Sequence, residues 1–340
     1  MSTYATLSRQ VQEAGLLKRR RGFYWPRIIL GFLALGAIGT GFGLLGDSWF
    51  QLLLAAALAV VLHQFAYLGH DGAHQQIFAS RRWNEWSGRV FAGLVAGLGY
   101  SWWMGKHTRH HGAPNQVGKD GDIDSKVLAF HEEAAHSRRG LVARFTRRQG
   151  WFFFPLLTLE GLNLHVDSFR RLLDKAPVKR RWVDLSFVTV RLVGYVAVLL
   201  VFLSPGKAAA FLGLQLAVFG VLMGGSFAPN HTGMPIVPAT TKIDFLSRQV
   251  LMSRNITGGW WVDFAMGGLN HQVEHHLFPS MPRPNLRRAR PMVRQYCLDH
   301  GIDYTETSLG RSYQEIVTYL NTVGLHARET FTCPLVASYR

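Results

Sequence analysis

Four long apolar stretches constrain this chain more than any other feature: roughly Ile28–Leu45, Phe50–Leu68, Leu185–Leu203 and Ala208–Phe227. A helix that crosses a bilayer needs about 20 mostly apolar residues, and inside lipid the backbone must satisfy its own hydrogen bonds. Helices buried in a soluble core are the alternative, but four such runs in 340 residues, with 48% hydrophobic and 17% charged residues, are too many for that. The polar interruptions, His63 and Gln64 in the second run and Arg191 in the third, avoid the mid-span positions where an ionised group costs most. The chain reads as an all-α integral membrane protein with four transmembrane helices.

A formal net charge of +16 invites a nucleic-acid reading, but its distribution argues for a membrane. Lys18-Arg19-Arg20-Arg21 precedes the first run, and 81–181 and 242–294 are rich in Arg and Lys. The connectors Gly46–Trp49 and Ser204–Lys207 hold one Lys between them. This positive-inside asymmetry puts the N-terminus, the long middle segment and the C-terminus in the cytosol, with basic surfaces facing anionic headgroups, an anionic substrate or a protein partner. No nucleic acid is expected, and the basic N-terminus lacks a signal-peptide pattern. Cys297 and Cys333 both fall on the cytosolic side, so no disulfide is expected.

The order is a basic cytosolic segment (1–25), a membrane domain (26–295) and a cytosolic tail (296–340). Within the middle segment, Ser87–Trp103 and Trp151–Val166 are apolar but interrupted by Gly, Pro or Glu, and read as helices lying in the interface. Arg311–Leu325 has helical periodicity. An even number of spans brings the residues after the second and after the fourth to one face.

Histidines gather on that face. Of 15, nine fall into four groups. "GHDGAH" carries His70 and His74 at i and i+4, on one side of a helix. "GKHTRHHG" carries His107, His110 and His111 at i, i+3 and i+4. "APNHTG" places Asn230 and His231 at the mouth of the fourth span, and "GGLNHQVEHHLFPSMPR" holds His271, Gln272, His275 and His276. A lone pair of histidines is usually polar surface. Two separate His-His doublets, with every group at a membrane–cytosol junction, make metal coordination the stronger reading. Imidazole suits zinc, copper, iron and nickel. Five imidazoles in the first two groups exceed the four ligands of a closed zinc site, so two metals fit better than one. His63 reads as a buried, hydrogen-bonded histidine, whereas His131, His136, His165, His300 and His326 read as isolated surface residues.

The pattern HxxxH (His70, His74), HxxHH (His107, His110, His111) and QxxHH (Gln272, His275, His276) resembles the three histidine boxes of the membrane fatty acid desaturase family. The Gln that opens the last box resembles its front-end or linoleoyl-CoA-desaturase-like branch. The resemblance runs over roughly residues 55–295. It implies four spans beneath a helical cytosolic cap that holds a di-iron centre, with His231 as a further ligand beside Asn230. It also implies O2 as co-substrate and a fatty acyl-CoA or acyl lipid as substrate. Many front-end members carry a fused cytochrome b5 domain with an HPGG motif. No such motif occurs here, so electrons are expected from a separate ferredoxin, cytochrome b5-like protein or NADPH-dependent reductase.

Taking two hydrogens from an unactivated methylene pair is beyond any side-chain base, so a metal must carry the hard chemistry. Asp71, Glu274, Asp263, Asn230 and His271 are candidates to orient the ligands. Trp102, Trp103, Trp260 and Trp261 are candidates to line an acyl channel, an interfacial aromatic belt being the alternative. The resemblance to bacterial relatives without the b5 domain favours Δ9 insertion over front-end Δ6 or Δ5, in a bacterial inner membrane. The nearest rival is a di-iron hydroxylase of lipids, alkanes or carotenoids. A metal transporter or sensor would place its histidines inside the spans, and a zinc hydrolase would bind one zinc instead of two irons.

Overall fold

The computed structural model describes residues 3–326; Cys333 lies outside them. The helices in chain order are α1 (Thr3–Glu13), α2 (Arg21–Leu45), α3 (Gln51–Ala73), α4 (Arg81–Arg89), α5 (Tyr100–Gly112), α6 (Glu132–His136), α7 (Gly140–Thr146), α8 (Phe153–Leu173), α9 (Arg181–Phe202), α10 (Pro205–His231), α11 (Phe245–Leu251), α12 (Trp260–Ala265), α13 (Gln272–Leu277), α14 (Arg283–Asp299) and α15 (Leu309–His326). Among the described residues the paired strands are β1 (Asn255–Thr257) and β2 (Glu306–Ser308), parallel, with Asn255 opposite Glu306.

Four of these helices, α2, α3, α9 and α10, are long and apolar enough to cross a membrane, and they cover the four apolar runs but for the flanking residues Phe50 and Leu203. Half of the most apolar window of α3 is buried and a third of that of α10, against 11% for α2 and for α9. The inner pair is therefore α3 and α10, while α2 and α9 turn most of their surface to lipid. Phe42, Leu58, Leu62, Phe211, Phe219 and Met223 pack between them. At the end away from the histidines the two hairpins are clipped together: Lys207 Nζ lies 2.9 Å from Asp47 Oδ2, and the Ser204 backbone N–H donates to Asp47 Oδ1 at 2.9 Å.

Both inner helices run past their apolar stretches. α3 continues from Leu68 to Ala73, and α10 from Phe227 to His231. A cap closes over these extensions. Its core sets Leu7, Val11 and Leu16 against Leu246, Val250, Val273, Leu277, Leu286 and Val293, so the amphipathic N-terminal helix is docked on the cap. α14 runs through the boundary expected at residue 295, and α15 covers the periodic stretch at 311–325.

One stretch and one residue differ from the sequence reading. Ser87–Trp103 is not one helix: α4 gives way to a π-helical turn at Val90–Val95, and α5 starts afresh at Tyr100. Gly97 takes φ +82° in the break, and a Cβ there would sit 3.1 Å from His165 Nε2. That histidine is itself buried, with ring nitrogens 2.6 Å from Gly161 O and 3.2 Å from Ala96 O, where a surface residue was expected. Leu157, Gly161 and Gly220 bring α8 and α10 into backbone contact; a Cβ on Gly161 would fall 2.1 Å from Leu216 O.

Candidate metal centre

Four elements deliver imidazoles to one place. α3 carries His70 in its last turn, with His74 as the residue that caps it. α5 carries His107, His110 and His111, and α10 ends on His231. The short helix α13 begins at Gln272 and carries His275 and His276. It is held by neighbours, not by its own length. The Val273 backbone N–H donates to Asn255 Oδ1 at 2.9 Å, while Asn255 Nδ2 and Tyr304 OH donate to the Glu274 carboxylate at 2.8 and 2.6 Å. The glycines that open this motif are required by close approach. Gly268 has φ +80°, and a Cβ there would meet Arg283 Cγ at 2.4 Å.

The imidazoles sort into two groups. Ligand nitrogens of His70, His74, His107 and His275 lie within 4.8 Å of one another, as do those of His110, His231 and His276. His111 stands between: its Nε2 is 3.0 Å from His107 Nε2, and its ring stacks on His276 with centroids 4.3 Å apart. Adjacent residues diverge, so His110 faces one group while its neighbour reaches the other. Gln272 Nε2 lies 2.9 Å from His231 Nε2, which puts its amide at the second group.

Partners on the far side of several rings set their direction. His110 Nδ1 is 2.9 Å from Asp120 Oδ2, His231 Nδ1 is 2.9 Å from Met252 O, and His276 Nδ1 is 2.8 Å from Gln249 Oε1. Asp71 Oδ1 is 3.4 Å from His70 Nδ1, and its other oxygen is 2.5 Å from Arg283 Nη2. Such partners fix which ring nitrogen carries the proton.

Burial, reinforced by neighbouring imidazoles, holds His74, His107, His111, His275 and His276 well below the ordinary histidine value, so they are neutral donors. Burial also opposes charge on His110, but Asp120 and Asp122 outweigh it and raise its value. Burial likewise opposes ionisation of Asp120, and the hydrogen bond from His110 overrides it, taking the carboxyl down to about 2.

The residues fit a pair of transition-metal ions. His74 Nε2 lies 2.7 Å from His107 Nε2, too close for two neutral rings that both present lone pairs. Nε2 of His70, Nε2 of His276 and both ring nitrogens of His275 are buried with no hydrogen-bond partner. A buried polar atom left unpaired costs about 1–3 kcal/mol, and several orphans aimed into one cluster call for a cation that accepts their lone pairs. All are imidazoles, with no thiolate among them.

The other sequence candidates sit around this centre in different ways. Trp103 stacks on His107 with centroids 4.1 Å apart, and Trp102 is half-buried nearby. Trp260 and Trp261 are 77% and 53% exposed on α12. His271 Nε2 lies 3.3 Å from Asp263 Oδ1, outside both groups. Glu274 braces α13 against β1, and Asn230 donates to Ser226 O at 3.1 Å with its own oxygen buried and unpaired. His63 is buried 3.2 Å from Ser226 Oγ, as a hydrogen-bonded histidine should be. Sequence reasoning missed Asp120, Gln249, Met252 O and Arg283. The acid-rich "GKDGDIDS" after the second box was an available signal for Asp120; a single neutral Gln gave none.

Comparison with known proteins agrees with this geometry. The profile of the family described as fatty acid desaturase matches residues 47–308. A Delta(8)-fatty-acid desaturase of Helianthus annuus is 26% identical over 96% of this chain and 74% of its own length. An acyl-lipid (9-3)-desaturase of Physcomitrium patens is 32% identical over 82% of this chain, which spans only 54% of that protein. A Delta(6)-fatty-acid desaturase of Caenorhabditis elegans is 26% identical over 89% of this chain and 71% of its own. The site and fold are those of a membrane oxidoreductase acting on fatty acids. The chain belongs to the fatty acid desaturase family.

Proposed function

We propose that this chain is an O2-dependent desaturase that inserts a cis double bond into a fatty acyl chain at an iron pair. The observation that carries the reading is the double cluster of buried imidazoles at the ends of the inner spans. In it, His70, His74, His107 and His275 hold one iron, His110, His231 and His276 hold the other with Gln272 beside it, and His111 stands between the two. When bound, two irons and O2 supply the oxidising power that no side chain has. The protein's own part is to bring the rings together under the cap and to set their tautomers through Asp71, Asp120, Gln249 and Met252 O.

Basic residues flank the histidine-bearing ends of the spans, which supports a cytosolic site. A soluble or membrane-bound electron donor, ferredoxin, cytochrome b5-like protein or NADPH-dependent reductase, then meets the enzyme on that side. The acyl group arrives as acyl-CoA or as acyl lipid from the bilayer. The Δ9 position is the sequence-derived reading. Two of the three relatives carry Delta(8) or Delta(6) in their names and lend it no support, which favours a second reading with insertion nearer the carboxyl end.

Expression in a host without the activity, with a reductase supplied and double bonds mapped by mass spectrometry, tests both. New unsaturation is expected, and its position decides between the readings. A new hydroxyl lipid with no new double bond would overturn desaturation in favour of hydroxylation.

A further inference from the structure

Gln249 is a neutral residue on a short helix, far in sequence from every histidine box, and it is completely buried. Its amide touches two of the histidine-bearing helices, α5 and α13. Nε2 donates to the backbone carbonyl of His111 at 3.0 Å, and Oε1 lies 2.8 Å from Nδ1 of His276. His111 sits in the last turn of α5, where helix carbonyls have no intrahelical partner. A carbonyl can only accept, so the NH2 end of the amide must face His111. The oxygen end is thereby committed to His276. An amide oxygen can only accept in turn, so Nδ1 of His276 must carry the proton. Its Nε2, buried and unpaired, is left with a lone pair aimed into the second group.

We infer that Gln249 is a positioning residue: it locks the tautomer and ring direction of His276 and ties that ligand to the helix carrying His107, His110 and His111. The inference rests on the reading of the cluster as an iron site. No other side chain contacts both α5 and a ring nitrogen of α13 in this way among the described hydrogen bonds. Arg248 reinforces the clamp through Nη1, which donates to Gly112 O at 3.1 Å. The second group is thus oriented by an amide, a carboxylate and a backbone carbonyl, whereas among the described residues the first has Asp71 alone. The two metal positions are unequal before any metal binds.

Removing an orienting partner typically lowers metal affinity about 10- to 100-fold. Gln249→Leu keeps the bulk of the side chain but not the acceptor, whereas Gln249→Glu keeps the acceptor and loses the donor. Each variant and the wild type are purified, reconstituted with ferrous iron, and compared by iron content and Mössbauer spectrum, with thermal unfolding as a folding check. Gln249→Leu is expected to lose iron from one position and keep the other. Gln249→Glu is expected to keep both, with the quadrupole doublet of one iron shifted by the more basic imidazole. If Gln249→Leu does not fold, the Gln249→Glu spectrum decides, and an unshifted doublet overturns the inference. Equal iron content in both variants overturns it as well. A wild-type protein that takes up no iron overturns the functional reading instead, which keeps the two failures apart.

Discussion

At the residue scale, the clustered imidazoles depend on groups on the far side of their rings. Asp120 is fully buried, ionised, and bound to His110 Nδ1; the backbone N–H of Asn115 also donates to it at 2.8 Å. Asp120→Ala is expected to reduce activity and iron affinity about 10- to 100-fold, measured by turnover and by iron titration, with Asp120→Asn between it and the wild type. His271 and Gln272 make a sharper pair. Gln272 reaches His231, while His271 is occupied with Asp263. Gln272→Ala should therefore cut iron content, and His271→Ala should leave it near wild type. The reverse order, read by metal analysis, would exchange their roles.

At the element scale, the ends of helices decide how well the site is built. The spans were legible in the sequence because lipid demands length and apolarity together, and both are local properties. The histidine frames of α5 and α13 were legible for the same reason, since i, i+3 and i+4 are fixed by helix geometry. What could not be read was set by tertiary contact. The break at Gly97 depends on His165 packing from another helix, and Gln249 acquires its role only when α11 meets α5 and α13. Trp260 and Trp261 could equally be wall or belt by sequence, and the structure exposes them. The contact of α8 with α10 yields a prediction of its own. Overpacking typically costs about 1–3 kcal/mol, and Gly161→Val sets a branched side chain against Leu216 O. It should lower the unfolding temperature in detergent and, because α10 ends on His231, lower iron content with it.

At the scale of the whole molecule, the site gathers five imidazoles in a place where their burial makes charge unwelcome. His74, His107, His111, His275 and His276 resist protonation when folded, yet titrate near about 6.5 in an unfolded chain. As pH falls below that value the unfolded chain takes up protons that the folded chain refuses, so stability falls toward the depressed folded values and does not recover on acidification. Metal-stripped protein should therefore show a melting temperature that drops steeply from about pH 7 to pH 5, with a slope set by several histidines together. Iron-loaded protein should hold its melting temperature to lower pH, because protons must first displace the metal. Calorimetry of both forms over that range checks the sign.

The two inner spans carry histidines of the cluster at their ends, His70 on one and His231 on the other. Their depth in the bilayer is thus geared to the spacing of the catalytic cluster. A membrane thicker or thinner than the apolar lengths of α3 and α10 will tilt or shift them, and the strain is delivered at the histidine cluster. An enzyme that alters acyl chains would then feel the thickness of the membrane those chains compose. Turnover in vesicles of graded lipid chain length should pass through a maximum and fall on either side of it.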